Sequence, residues 1–362
     1  MTIFTIENLY SAYKECLRNK KNTANALKFE INREKNLWQL LYELKTGKYE
    51  ISRHICFIIK EPSPREIFAG DFRDRVVHHL LCREIQTLFE DDFIESSYAN
   101  RVGKGTHKAV KELKFNLARG GKDGRKLYFL KMDIKGFFRN IDKNILWVII
   151  ENKIRKSQAG ERWKEEVLWL SKKIIFHDPA VNYIFKGRQK LKNLIPKEKS
   201  LLFGDRNTGL PIGNLTSQFF ANVYLNALDY FVKDELCFKR YIRYVDDFII
   251  LDEDINKLKE AIDNVGCFLN GNLRLSLSKE KTILLPCKKG ADFLGYYIKP
   301  DYILVRNKVV SRFKNRLYNL KTADAKKVLP IIASYFGHFS HANSCNLKKR
   351  MLRKIHLLGI NL

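Results

Sequence analysis

Apolar positions recur along this chain with two different spacings, and the alternation between them marks out the elements. Leu37, Leu40, Leu41 and Leu44 lie three and four apart, the spacing of one helix face, so the residues up to about Lys48 read as leading helices. The same spacing predicts an amphipathic helix through Val77, Leu80, Leu81, Ile85 and Leu88, and a long one carried by Phe219, Phe220, Val223, Ala227, Leu228 and Phe231. It predicts a further helix through Ile255, Leu258, Ile262, Val265 and Leu269. Between these lie short runs of β-branched and aromatic residues: ISRHICFIIK (51–60), Leu127 to Met132, and both halves of FKRYIRYVDDFIILD (238–252). LRLSLSKEKTILL (273–285) alternates as a strand with Lys281 near its middle, and DFLGYYI (292–298) predicts a short strand pair around Gly295. GGKDGRK (120–126) has turn chemistry, and residues 142–200 read as a helical, lysine-rich insertion.

Charge narrows the partners. With 362 residues and 45% hydrophobic content the chain can bury two or three cores, and 67 Lys and Arg against 40 Asp and Glu leave it at +27. Each phosphate that a cation neutralises releases a counterion, so this balance points to nucleic acid, with an anionic membrane surface as the competitor. The excess gathers at the end: residues 302–362 hold thirteen Lys or Arg and one acid, Asp324. Val310, Phe313, Leu317 and Leu320, then Leu347, Met351, Ile355 and Leu358, give that segment two helical stripes suited to a basic grip on a backbone. Seven cysteines without a CxxC pair indicate neither a disulfide framework nor a zinc ribbon. His338, His341 and Cys345 lack an evident fourth ligand and read as a helix edge. The N-terminus has no charged leader followed by an apolar stretch, and the run Ile145 to Ile150 is too short to cross a bilayer. A soluble, cytoplasmic protein without a membrane partner is therefore expected.

Candidate chemistry centres on Asp246 and Asp247, at the tip of a predicted strand-turn-strand. Two like charges held together are unfavourable unless a cation neutralises them, which suggests a metal; the alternative is a surface hairpin that uses Asp for its turn geometry. Asp133, at the close of an apolar strand, is either a helix cap or a metal ligand. Arg65, Arg73 and Arg75 place guanidiniums near Gly70, each able to fork onto phosphate oxygens. Gly209, Pro211 and Gly213 form a loop where backbone can approach a ligand closely. Lys104 between Gly103 and Gly105 has no GKS or GKT ending, which argues against a nucleotide-hydrolysing P-loop.

The order of these parts, from about Ile58 to Ile298, resembles the palm of reverse transcriptases motif by motif. The resemblance implies an α+β right-hand polymerase fold: fingers over 1–125, a palm with an antiparallel sheet over 126–298, and a helical thumb over 299–362. It implies RNA-directed DNA synthesis by two Mg²⁺ ions, or Mn²⁺ in their place, on template RNA, cDNA and dNTPs. Asp133 and Asp246 would bridge both ions, with the backbone of Ile134 at the same site and Asp247 contributing less directly. Phe138 matches the residue beneath the sugar that selects deoxynucleotides; Arg65 and Lys60 match the contacts to the incoming triphosphate. Lys281 matches the lysine proposed to protonate departing pyrophosphate. Phe293, Leu294, Gly295 and Tyr296 match the primer grip.

Residues 210–218, LPIGNLTSQ, refine the subgroup. Ile212 and Gln218 stand where most reverse transcriptases compared have Gln and Pro, and this version resembles the enzymes of diversity-generating retroelements. With Gly213, these residues would face the nucleotide, and Ile212 offers no hydrogen bond to check pairing. That family's properties imply misincorporation opposite template adenines, an accessory oligomeric RNA-binding protein, and a bacterial, archaeal or phage source. Group II intron-like, retron and abortive-infection reverse transcriptases are the nearest alternatives; a non-catalytic RNA-binding scaffold is the alternative of another class.

Overall fold

A computed structural model describes residues 2–18, 20–122, 126–319 and 325–357. In chain order, α1 (Ile6–Leu17), α2 (Ala24–Ile31) and α3 (Arg33–Lys45) lead into β1 (His54–Ile59), β2 (Arg65–Ala69) and α4 (Phe72–Glu90). Then follow α5 (Thr106–Lys122), β3 (Tyr128–Asp133), α6 (Phe137–Asn140), α7 (Lys143–Lys156), α8 (Glu161–Phe176) and β4 (Tyr183–Phe185). Next come α9 (Leu215–Tyr230), β5 (Arg240–Tyr244), β6 (Asp247–Asp252) and α10 (Ile255–Leu273). The chain continues with β7 (Ile283–Pro286), β8 (Ala291–Phe293), β9 (Tyr296–Ile298) and β10 (Ile303–Val305). It ends in α11 (Asn307–Asn319), α12 (Ala325–Phe339) and α13 (Cys345–Leu357). Helices and antiparallel pairs are segregated as in an α+β protein. They fall into two compact units, one of residues 1–95, 134–231 and 265–277, the other of residues 96–133, 232–264 and 278–362.

In the first unit α4 is the spine. Asp71 caps it by accepting from Arg73 N at 3.1 Å, and its buried Val76, Val77, Leu80, Leu81 and Ile85 face α1, α8 and α9. A three-stranded sheet, ordered β2-β1-β4, pairs β1 antiparallel with β2 and parallel with β4. The stretch 142–200 is therefore built into this unit: α7 packs on α8 and α9, and β4 completes the sheet. Lysine 143, buried there, donates to the Arg206 carbonyl at 2.9 Å.

The second unit is organised by an antiparallel sheet ordered β5-β6-β3-β7. Phe129, Ile249, Leu251 and Ile242 face Val110, Leu113 and Leu117 of α5 in one apolar cluster, which Phe293 and Tyr296 extend. A second cluster gathers Phe313 and Leu317 of α11, Val328 and Phe339 of α12, and Met351 and Ile355 of α13. The two basic stripes of the sequence thus bury their apolar faces on each other; their expected last members, Leu320 and Leu358, lie outside the described residues. Two expectations are corrected. Helix α5 runs on to Lys122, so the glycine pair 120–121 ends a helix, and residues 123–125 of the expected turn lie outside the described residues. Lysine 281 closes a short 3₁₀ turn (Lys279–Lys281) ahead of β7, because the alternation through 273–285 spans a helix end and a turn, and only its last residues join a strand ladder.

Candidate active site

Strands β5 and β6 form a hairpin in which Tyr244 pairs with Asp247, leaving Val245 and Asp246 as a two-residue loop. Such loops need a positive φ at their first position, a demand normally met by Gly or Asn. Here Val245 meets it, with φ +57°. A β-branched residue in that region is strained, and the turn is over-determined by what surrounds it. Arg243 is buried with no exposed surface, and its Nη1 donates to the Val245 carbonyl at 3.3 Å.

The β3–β6 ladder sets Asp133 directly opposite Asp247. Residues facing each other across an antiparallel pair point to one side of the sheet, so these two carboxylates share a face, with Asp246 next to them in the turn. Lys131, two residues before Asp133 and thus on that face, brings Nζ to 3.3 Å from Asp247 Oδ2 while donating to the Asp292 carbonyl at 2.8 Å. The Nζ of Lys281 donates to Asp133 Oδ1 at 2.7 Å, although the lysine side chain is otherwise exposed. Burial, opposed by the charge and hydrogen bond of Lys131 and aided by the charges of Asp246 and Asp133, leaves the Asp247 carboxyl pushed up to about 6.

A divalent cation suits this arrangement. The buried Asp247 Oδ1 has no hydrogen-bond partner, and burial is the main cause that raises its carboxyl, so a cation there would supply both a partner and a countercharge. Among the described residues no three His, Cys, Asp or Glu side chains form a ready-made cage. A hard ion such as Mg²⁺ takes one or two carboxylates and completes its shell with water and substrate phosphates, so the donor set fits that ion better than a structural zinc. Asp133, Asp247 and Asp246 would hold it. Ile134, the expected backbone ligand, is buried and forms an isolated bridge with Leu277 in the first unit.

The other expected site residues fall into two groups. Phe293 and Tyr296 are buried at the ends of β8 and β9, joined by Leu294 (φ +50°) and Gly295 (φ +89°). Gly295 takes a φ of +89° that a side chain would strain, and a Cβ there would also stand 3.2 Å from His338 Cε1, so the hairpin favours glycine. Arg306 fastens this turn through N to the Gly295 carbonyl at 3.0 Å and through Nε to Asp292 Oδ2 at 2.6 Å. His338 stacks on Tyr296 at 4.3 Å and His341 on His107 at 3.4 Å.

The nucleotide candidates lie in the first unit. Lys60 and Arg65 flank the β1–β2 loop, both exposed. Phe138 is half-buried and set edge-on to the buried Phe137 at 5.3 Å; its carbonyl accepts from Leu210 N at 2.8 Å. Ile212, also half-buried, is fixed by its carbonyl accepting from Phe68 N at 2.9 Å. Gly213 has φ +129°, and a Cβ there would stand 2.9 Å from Ile67 Cγ2 and 3.0 Å from the Phe68 carbonyl. Gln218 is exposed on the first turn of α9. Arg73, the second of the three arginines, is taken up by Glu43, while Arg75 Nε donates to the Gly70 carbonyl at 2.9 Å. Lys131 and Arg243 are residues the sequence reading passed over. The two-residue period from Asp133, and a cation inside the apolar LYFLKMD and RYIRYV runs, are the signals that would have found them.

Residues 59–298 match the family described as reverse transcriptase (RNA-dependent DNA polymerase). The chain belongs to the reverse transcriptase family. Among curated relatives it is 25% identical to the group II intron-encoded protein LtrA of Lactococcus lactis subsp. cremoris over 80% of this chain and 54% of that one. It is 22% identical to protein YkfC of Escherichia coli K12, over 70% of this chain and 68% of that one. The chain thus spans about half the length of LtrA. Among solved structures, apo telomerase from Candida tropicalis aligns with a TM-score of 0.50 at 16% identity, over 75% of this chain and 51% of that one. This places the chain in the right-hand polymerase fold. Among the described residues no helix is long and apolar enough to cross a membrane.

Proposed function

We propose that this reverse transcriptase family member is an RNA-directed DNA polymerase. The observation that carries the reading is the registered pair Asp133–Asp247 beside Asp246, inside the segment that matches the family. Two divalent ions, when bound there, lower the barrier to attack of a primer hydroxyl on an α-phosphate. Asp133 and Asp246 would hold the ions in this reading, with Asp247, tied to Lys131, contributing less directly. Lys281, paired with Asp133, is the candidate proton donor to pyrophosphate. Arg65 and Lys60 supply charge for a triphosphate, Phe138 excludes a 2′-hydroxyl, and the β8–β9 turn is the primer grip. Residues 1–125, 126–298 and 299–362 are assigned to fingers, palm and thumb on the same resemblance.

The finer reading is a diversity-generating polymerase, error-prone at template adenines and working with an oligomeric RNA-binding protein. Ile212 and Gln218 support it, since an aliphatic side chain at that point of the loop removes one polar check on pairing. The group II intron origin of LtrA favours a second reading, a group II intron-like reverse transcriptase of ordinary fidelity. Primer extension on RNA with dNTPs and Mg²⁺, followed by sequencing, separates them. Synthesis with errors concentrated at template adenines, reduced several-fold in Ile212→Gln, supports the first; accurate synthesis unaffected by Ile212→Gln supports the second. Absence of cation-dependent synthesis would leave the RNA-binding scaffold.

A further inference from the structure

The loop that presents Ile212 is fastened to the end of β2 on both sides of Gly213. Upstream, the Ile212 carbonyl accepts from Phe68 N; downstream, Asn214 Oδ1 accepts from Gly70 N at 3.3 Å. With its oxygen committed to Gly70, the Asn214 amide aims its NH₂ at His54 Nε2, 3.4 Å away. Turning the amide over would set a second donor against the Gly70 N–H. Nε2 therefore accepts, which puts the ring proton on Nδ1, a buried atom with no hydrogen-bond partner of its own. A charged His54 would oppose two donors across this contact.

The surroundings keep His54 in that state. Only 1% of its surface is exposed, and it stacks on His177 at 5.1 Å. His78 and Arg75 stand near it on α4, the guanidinium being a cationic neighbour that further disfavours a charged His54. Asp74, the acid of that helix's first turn, is occupied by Tyr49 Oη at 2.8 Å and Ser52 N at 2.9 Å. His78 Nδ1 in turn meets Thr216 Oγ1 at 2.7 Å. The free space among these groups, about 10 Å³, admits no more than one water.

We propose that His54 and Asn214 are positioning residues: the acceptor nitrogen of His54 orients the Asn214 amide, which sets the loop and hence the placement of Ile212. The functional half of this inference rests on the polymerase reading. Asn214→Asp provides the test, because it keeps the acceptor for Gly70 N but turns a second oxygen on Nε2. That variant needs a proton on His54 and should recover as pH falls. At about pH 8.5 its KM for dNTP should rise about tenfold, and by about pH 6.5 it should return to within about twofold of wild type. His54→Phe, which leaves the amide without an acceptor, should raise KM by about tenfold at either pH. Hydrogen exchange of the Phe68 and Gly70 amides in the full chain gives a second measure. Exchange should quicken in His54→Phe, and in Asn214→Asp at the higher pH alone. Wild-type KM together with unchanged exchange in both variants, or a loss in Asn214→Asp that pH does not relieve, overturns the proposal. If the wild-type chain incorporates no dNTP, the polymerase reading fails while the exchange data still decide whether His54 holds the loop.

Discussion

The carboxylate hairpin of the second unit and the Ile212 loop of the first are both buried polar constructions, and they are held in opposite ways. At the hairpin three acids of one sign meet two lysines, and burial with mutual repulsion raises Asp247 to about 6. At the loop neutral groups make most of the contacts: imidazole, amide and hydroxyl groups bond one another beside the Arg75 guanidinium, and burial lowers His54 to about 4 and His78 to about 3. The hairpin is left short of positive charge, which suits a place where a cation must bind and be shared with substrate. The loop is fastened by neutral donors and acceptors that hold the shape in which Ile212 is presented.

The comparison breaks first, and with the largest effect, if the hairpin acids prove dispensable. Asp246→Asn should lower kcat for Mg²⁺-dependent primer extension by about a thousandfold, the upper end of what one electrostatic stabiliser supplies. Asp247→Asn keeps an oxygen for Lys131 and should leave about a hundredth of the activity. It should also make the fold more stable at neutral pH by about 2 kcal/mol, since it removes a carboxylate whose ionised form is disfavoured in the native state. Equal activity of both variants with wild type, measured as single-turnover incorporation, would remove the metal assignment.

Opposite pH slopes sharpen the contrast. The native pKa of His54 lies below its ordinary 6.5, so the unfolded chain takes up a proton first as the solution is acidified. Its contribution is fully present above about 6.5 and is lost progressively towards 4, by about 3 kcal/mol. The native pKa of Asp247 lies above its ordinary 3.8, so the native state keeps its proton longer. Its contribution is present below about 4 and is lost as pH rises through 6. Denaturant unfolding between these limits should therefore show a smaller acid loss in His54→Phe than in wild type, and a larger one in Asp247→Asn. Parallel curves for all three would mean that neither cluster governs the response.

Much of this was legible in the sequence because it rests on local chemistry. The strand ending at Asp133, the YVDD turn, the FLGYYI hairpin and the long helices follow from period and from β-branched content, and the structure forms each of them. Lys281 was misplaced because alternation through 273–285 continues across a helix end and a 3₁₀ turn, where it has no strand to describe. Lys131 and Arg243 escaped notice because a cation within an apolar run carries no label for its partner; only the ladder register supplies Asp247 and the turn carbonyl. The imidazole set escaped for a similar reason, as His54, His78 and His177 lie far apart in the chain and only tertiary packing brings them to Asn214.

Backbone strain gives the smallest effect and completes the contrast. Both regions contain a residue at positive φ, Gly213 in the loop and Val245 in the hairpin. Glycine occupies that region at little cost, whereas an L residue with a branched Cβ meets the following carbonyl at a cost of about 1–2 kcal/mol. Val245→Gly should relieve the strain but return about 0.5–1 kcal/mol through the greater freedom of the unfolded chain. The net gain is then about half a kcal/mol, a rise in melting temperature of a degree or two for a chain this long. The same substitution loosens the turn that carries Asp246, so kcat should fall several-fold even as stability rises, with the Arg243 contact still limiting the motion. Gly213→Ala should do the reverse, because its Cβ would press into Ile67 and the Phe68 carbonyl and destabilise the fold. If Val245→Gly instead lowers the melting temperature and leaves kcat untouched, the valine is held at φ +57° by favourable packing, and the turn stores no strain for the site to use.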